Sequence, residues 1–115
     1  MEQKGLLFPK KVQKKKRKHH PRSIIPGDQP AWCYLCEMPK RTEEHHIFGG
    51  PNRRASEEYG LKVHLCLSCH RTGPKAAHGC KATSDELHRI GQQAFEAEVG
   101  SRRDFIRIFG KNYLE

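Results

Sequence analysis

The sequence predicts a small α+β fold braced by metal. Three observations carry that expectation. Two C-x-x-C pairs, Cys33–Cys36 and Cys66–Cys69, stand 29 residues apart. Residues 28–80 are dense in Cys, His, Gly and Pro, and hold too little apolar material for an ordinary core, the condition in which small domains need staples. From residue 83 onward, apolar residues return at helical spacing.

The chain has 115 residues and a formal charge of +9, so one domain is the expectation. The charge is concentrated at one end. Residues 1–27 hold nine of the 22 Lys and Arg and a single acid, Glu2, while the remainder is close to neutral. A block such as "KKVQKKKRKHHPR" cannot bury an apolar core, so residues 1–27 read as a disordered basic arm ahead of a folded domain over 28–115. Lys14, Lys15, Lys16, Arg17 and Lys18 are its densest run. Such runs neutralise phosphates and give salt-dependent affinity for nucleic acid; the plainer reading is a solubilising or targeting tail. No secretory signal and no apolar stretch of membrane-spanning length is visible. A cytoplasmic, reducing location is therefore expected, with no membrane partner, and cysteines there serve more often as ligands than as disulfides.

Two-residue spacing lets a tight turn present both thiolates of a C-x-x-C knuckle to one tetrahedral ion, and two knuckles complete a shell of four: Cys33, Cys36, Cys66 and Cys69 around structural zinc. The rival redox reading explains one pair only and lacks a surrounding βαβ pattern. Cys80 is left over as a free thiol. Trp32 reads as packing beside the zinc, with base stacking as the alternative.

The insert between the knuckles contains "TEEHHIFGG", residues 42–50. Adjacent residues of a strand point to opposite faces, so His45 and His46 cannot share one environment. Glu43 and Glu44 read as solvated strand residues. Beyond it come "GGPNRR", whose Arg53 and Arg54 suit either a phosphate clamp or a solvated loop, and "KVHLCLSCH", which puts His70 directly after the last knuckle cysteine. A knuckle running into a helix would place His70 in its first turn. His64 and His88 read as structural, with His88 on the helix surface, and His19-His20 as tail. Further on, "TSDE" offers Thr83 and Glu86 as a capping box for a helix ending near Gly100. "SRRDFIRIFG" reads as a second helix, capped by Ser101, ended by Gly110 and packing through Phe105, Ile106, Ile108 and Phe109.

The order Cys33–Cys36, Glu44-His45-His46-Ile47, Leu65-Cys66-Leu67-Ser68-Cys69-His70 resembles the HNH endonucleases, the ββα-metal or His-Me finger group, in the version braced by two knuckles. The resemblance covers about residues 33–78. It implies a zinc-braced ββα-metal core with two C-terminal helices, and a metal-dependent DNA endonuclease. It implies that His45 and His70 hold a catalytic divalent ion (Mg2+, Mn2+ or Zn2+), and that His46 is the general base. His78, soon after His70 across a turn containing Gly and Pro, reads as an added ligand. The family's middle Asn or His falls here near Leu61, which cannot serve; Asn52 and His64 are the available substitutes. Together with the basic arm, "EEHHIFGGPNRR" and "FIRIFGKNYL" are similar to phage recombination-enhancement nucleases, which implies a RecA filament as partner. Two other readings stand beside this one. One is a non-catalytic zinc-binding nucleic-acid module. The other is a zinc-dependent partner of a recombination factor, recruited by the C-terminal helices.

Overall fold

A computed structural model describes residues 21–114. The expected arm contacts at Lys14, Lys15, Lys16, Arg17 and Lys18, and the His19-His20 pair, lie outside the described residues. The sequence places the end of the arm at residue 27, but the fold begins earlier. Ile25 is buried, and the Ile24 amide donates to the Gly60 carbonyl at 2.9 Å. Two adjacent isoleucines gain more by covering the core than a solvated tail offers them.

The architecture is α+β: two short antiparallel hairpins followed by helices. Strands β1 (Trp32–Cys33) and β2 (Met38–Pro39) form the first hairpin. The turn between them sets Glu37 at a φ of 61°, and the Cys36 amide donates to the Cys33 sulfur at 3.3 Å. Strands β3 (Glu43–His46) and β4 (Lys62–Leu65) form the second. Tyr34 donates its amide to the His64 carbonyl at 2.8 Å, tying the first hairpin to β4. Between β3 and β4 the insert has structure of its own: a 3-10 turn, Gly50–Asn52, and helix α1, Arg53–Glu58.

The helix expected after the second knuckle is a single π-type turn, Ser68–Thr72. Gly73 closes it, donating its amide to the Ser68 carbonyl at 2.8 Å. A Cβ at Gly73 would lie 2.7 Å from that same oxygen. Pro74 then bars helical continuation. The long helix α2 (Lys81–Glu98) starts earlier than the Thr83–Glu86 box predicts, with Cys80 at its N-cap and no side-chain cap. Glu86 instead pairs with Arg89 at 2.7 Å. Helix α3 (Arg102–Phe109) has the expected boundaries. Ser101 accepts the Asp104 amide, Asp104 accepts the Ser101 amide, each at 3.0 Å, and Gly110 ends the helix at a φ of 84°.

The core joins β4 to α2 and α3 through Leu61, Val63, Leu65, Leu87, Phe95 and Phe105. Phe48, just beyond β3, is its aromatic hub. It packs 4.8 Å from Phe109, 5.3 Å from Phe105 and 5.2 Å, stacked, from His88, centroid to centroid. His88 is therefore a packing residue rather than a surface one. Gly91 of α2 makes this approach feasible: a Cβ there would lie 2.9 Å from the Phe48 ring. Buried Gln92 pins the chain after α3, accepting the Tyr113 amide at 2.7 Å and donating to Asn112 at 2.9 Å. Among the described residues, no helix is long and apolar enough to cross a membrane.

Candidate metal centres

The knuckles converge. Cys33 lies in β1, Cys36 in the turn that follows, Cys66 just past β4, and Cys69 in the π-type turn. All four sulfurs lie within 4.8 Å of one another, with Cys36 at 3.3 Å from Cys69 and 3.7 Å from Cys66. A tetrahedral ion with zinc–sulfur bonds of about 2.3 Å holds sulfurs about 3.8 Å apart, so this group can hold a structural metal such as zinc. The cysteines are free thiols, and convergence of both pairs leaves the one-pair redox reading without a distinct couple. The backbone amide of Cys69 pulls the Cys66 thiol down to about 7, while burial pushes Cys69 up. Lys40 sets its ammonium 3.4 Å from the Cys36 sulfur and 3.9 Å from Cys66, a counter-charge for a shell of thiolates. Cys80 lies outside this cluster, at the start of α2.

The second hairpin separates two chemistries onto its two faces. Its register pairs Glu43 with Leu65, Glu44 with His64, His45 with Val63 and His46 with Lys62. Opposed residues share a face. Glu43 and His45 thus lie with the apolar Val63 and Leu65, and Glu44 and His46 with Lys62 and His64.

On the first face, His45, His70 and His78 form a triad whose ligand atoms lie within 4.8 Å. Ring centroids are 5.1, 5.0 and 4.7 Å apart. His70 arrives through the π-type turn. His78 arrives because the chain doubles back: Ala77 donates its amide to the Cys69 carbonyl at 2.8 Å, and His78 to that of His70 at 3.2 Å. His70 donates through Nδ1 to Glu43 at 2.6 Å, which leaves its Nε2 as a lone pair 3.0 Å from Nε2 of His78. Nitrogens sharing one ion at bonds of about 2.0–2.1 Å are about 3.0–3.4 Å apart. A ligand histidine whose other nitrogen donates to a carboxylate is the usual arrangement around a metal. Glu43 is exposed, as a solvated strand residue should be, and it is also the acceptor for His70; that hydrogen bond holds its carboxyl below the usual range. His45 is 8% exposed, and its Nδ1 has no hydrogen-bond partner among the described residues. Burial, reinforced by the imidazoles of His70 and His78, lowers its pKa to about 3. Burial likewise lowers His78. Three imidazoles converging in this way suit a divalent transition ion.

On the second face, His46 meets Glu57 of α1, Nε2 to Oε1, at 2.7 Å. Lys62, only 1% exposed, donates to both Glu57 oxygens at 3.0 Å and reaches Glu44 at 3.5 Å. His64 is held by Asp28, which accepts its ring Nδ1 at 2.8 Å and its backbone amide at 2.7 Å. Neither substitute for the middle residue reaches the triad: His64 faces the other way, and Asn52 donates to the Phe109 carbonyl at 3.1 Å. His78 completes the triad instead. Arg53 and Arg54 are exposed in the first turn of α1, four and three residues before Glu57, the spacing that shares a helix face.

Glu57, Lys62 and Asp28 carry no signal in the sequence. The buried lysine sits among apolar neighbours in "GLKVHL", and its partner carboxylate comes from a different element. Comparison with protein-family models, with curated proteins and with solved structures gave no match.

Proposed function

We propose that the chain is a metal-dependent DNA endonuclease of the HNH type, hydrolysing phosphodiester bonds. The observation that carries this reading is the placement of adjacent histidines on opposite faces of β3. His45 joins the triad with His70 and His78, while His46 is withheld from it and oriented by a carboxylate.

In this reading His45, His70 and His78 hold the catalytic ion, and Glu43 fixes the ring of His70. The ion would supply Lewis-acid stabilisation of the phosphate and a template for the leaving oxygen. His46 accepts the proton of the attacking water; an imidazole suits that role at neutral pH. Arg53 and Arg54 contact phosphates near α1, and the basic arm, with Lys14 to Lys18, adds sequence-independent attraction for the duplex. The four cysteines, with structural zinc, fix the turn that presents His70, because Cys69 and His70 are consecutive. Recruitment by a RecA filament during phage recombination is the finer form of the proposal.

The test is nicking of supercoiled plasmid by purified protein with added divalent ion, repeated on single-stranded DNA with RecA. His46→Ala should cut about 10²–10⁴-fold more slowly, with DNA binding and zinc content retained. Cutting that needs RecA would support the recombination role. Absence of cutting in every condition, with DNA bound equally by both proteins, would favour the zinc-binding nucleic-acid module.

A further inference from the structure

The cluster on the second face of the hairpin is open to two interpretations. Ligand atoms of Glu44, His46 and Glu57 lie within 4.8 Å of one another, close enough to suggest a further metal site. The Lys62 ammonium already occupies that space. It sits 3.0 Å from both oxygens of Glu57 and 3.5 Å from Glu44, and it is 1% exposed. A metal would have to displace a buried cation that has nowhere else to go, and an uncompensated buried charge is costly. The cluster therefore serves something other than an ion.

We propose that Glu57 is the positioning residue for His46, and that Lys62 locks Glu57 in place. This rests on the nuclease reading given above. His46 donates its Nε2 proton to Glu57 at 2.7 Å, which fixes the tautomer and leaves the lone pair on Nδ1. The Nδ1 atom is then the one that works. As the water oxygen bonds to phosphorus and the phosphorus bond to the leaving sugar oxygen breaks, the water's proton passes to Nδ1, and the leaving oxygen takes a proton from solvent. The imidazolium so formed faces the Glu57 carboxylate, which stabilises it. Lys62 holds both oxygens of that carboxylate at 3.0 Å, so Glu57 cannot rotate away. The carboxylate does not touch the substrate; it acts through His46, as an orienting acid does in other histidine-dependent hydrolases.

The experiment compares wild type with Glu57→Gln, and with Glu57→Gln/Lys62→Met, which removes the ammonium that the single change would strand. Three readouts are taken: nicking kinetics, Mn2+ binding at the triad, and the tautomer of His46 from ring 15N shifts, assigned with a His46→Gln spectrum. The expected result is a fall in kcat of at least about tenfold, with up to about 10⁴-fold seen where an orienting acid becomes an amide. KM and Mn2+ affinity should stay within about twofold of wild type, and the His46 ring should become a mixture of tautomers. If the double variant folds, keeps the wild-type tautomer and cuts at the wild-type rate, the proposal is overturned. If wild type itself never cuts, the nuclease reading fails by that result, while an unchanged tautomer in the variants would separately refute the Glu57–His46 coupling.

Discussion

Acidification should destabilise the ion-free protein through His45, by an amount that follows from its burial. In the unfolded chain an imidazole titrates near 6.5; in the fold His45 titrates near 3, chiefly because it is buried. The folded value is depressed, so the neutral form is favoured by folding. The stability this represents is fully present above pH 6.5 and is lost as pH falls from there toward 3. At pH 5.5 the unfolded residue is about 90% protonated and the folded one hardly at all, which puts the loss between pH 7 and 5.5 at about 1.2 kcal/mol. The result does not depend on the exact folded value, since any value below about 4.5 gives the same number. The assay is urea unfolding at the two pH values after a weak chelator has stripped the triad. His45→Gln, which cannot titrate, should show a smaller drop than wild type by about 1.2 kcal/mol. Acid effects on the thiolates are common to both proteins and cancel. Equal pH dependence in wild type and variant would refute the argument that His45 is held neutral in the fold.

Other outcomes follow from the same contacts. Lys40→Ala should release zinc to a chromogenic chelator faster than wild type, because the ammonium beside Cys36 and Cys66 offsets the charge of four thiolates; an unchanged rate would show that it has no such role. Gly91→Ala should lower stability by about 1–3 kcal/mol through overpacking against Phe48, although alanine is the better helix former by about 1 kcal/mol; a rise in the urea midpoint would contradict this packing. Three imidazoles should select a transition ion over Mg2+, which prefers oxygen ligands. Competition between Mn2+ or Co2+ and excess Mg2+ should therefore leave the transition ion bound at the triad.

Much of the clustering of candidate ligands was legible in the sequence because it is written in local spacing. C-x-x-C fixes two thiols on one turn, and alternation along a strand separates His45 from His46. Ser101 and Gly110 likewise bound α3 through contacts a few residues long. What was not legible depends on contacts across the fold. Glu43 reads as solvated and is exposed, but its hydrogen bond to His70 depends on the π-type turn. The 1–27 boundary missed Ile25 because a buried position near a charged tail looks like any other apolar residue. The Thr83–Glu86 box was a real local pattern, yet the turn at Ala76–Cys80 started α2 at Lys81. The pairing of His46 with Glu57 and Lys62 joins three elements, and no single stretch encodes it.

If the triad holds the ion that cuts, ion occupancy and cutting must rise together. Zinc-loaded protein is titrated with Mn2+, with bound ion read by electron paramagnetic resonance and plasmid nicking read on the same samples. The two curves should coincide at one ion per chain, and His78→Ala should weaken both together while zinc stays bound. An ion that fills the triad with no cutting, or cutting that persists when the triad cannot bind, would contradict it.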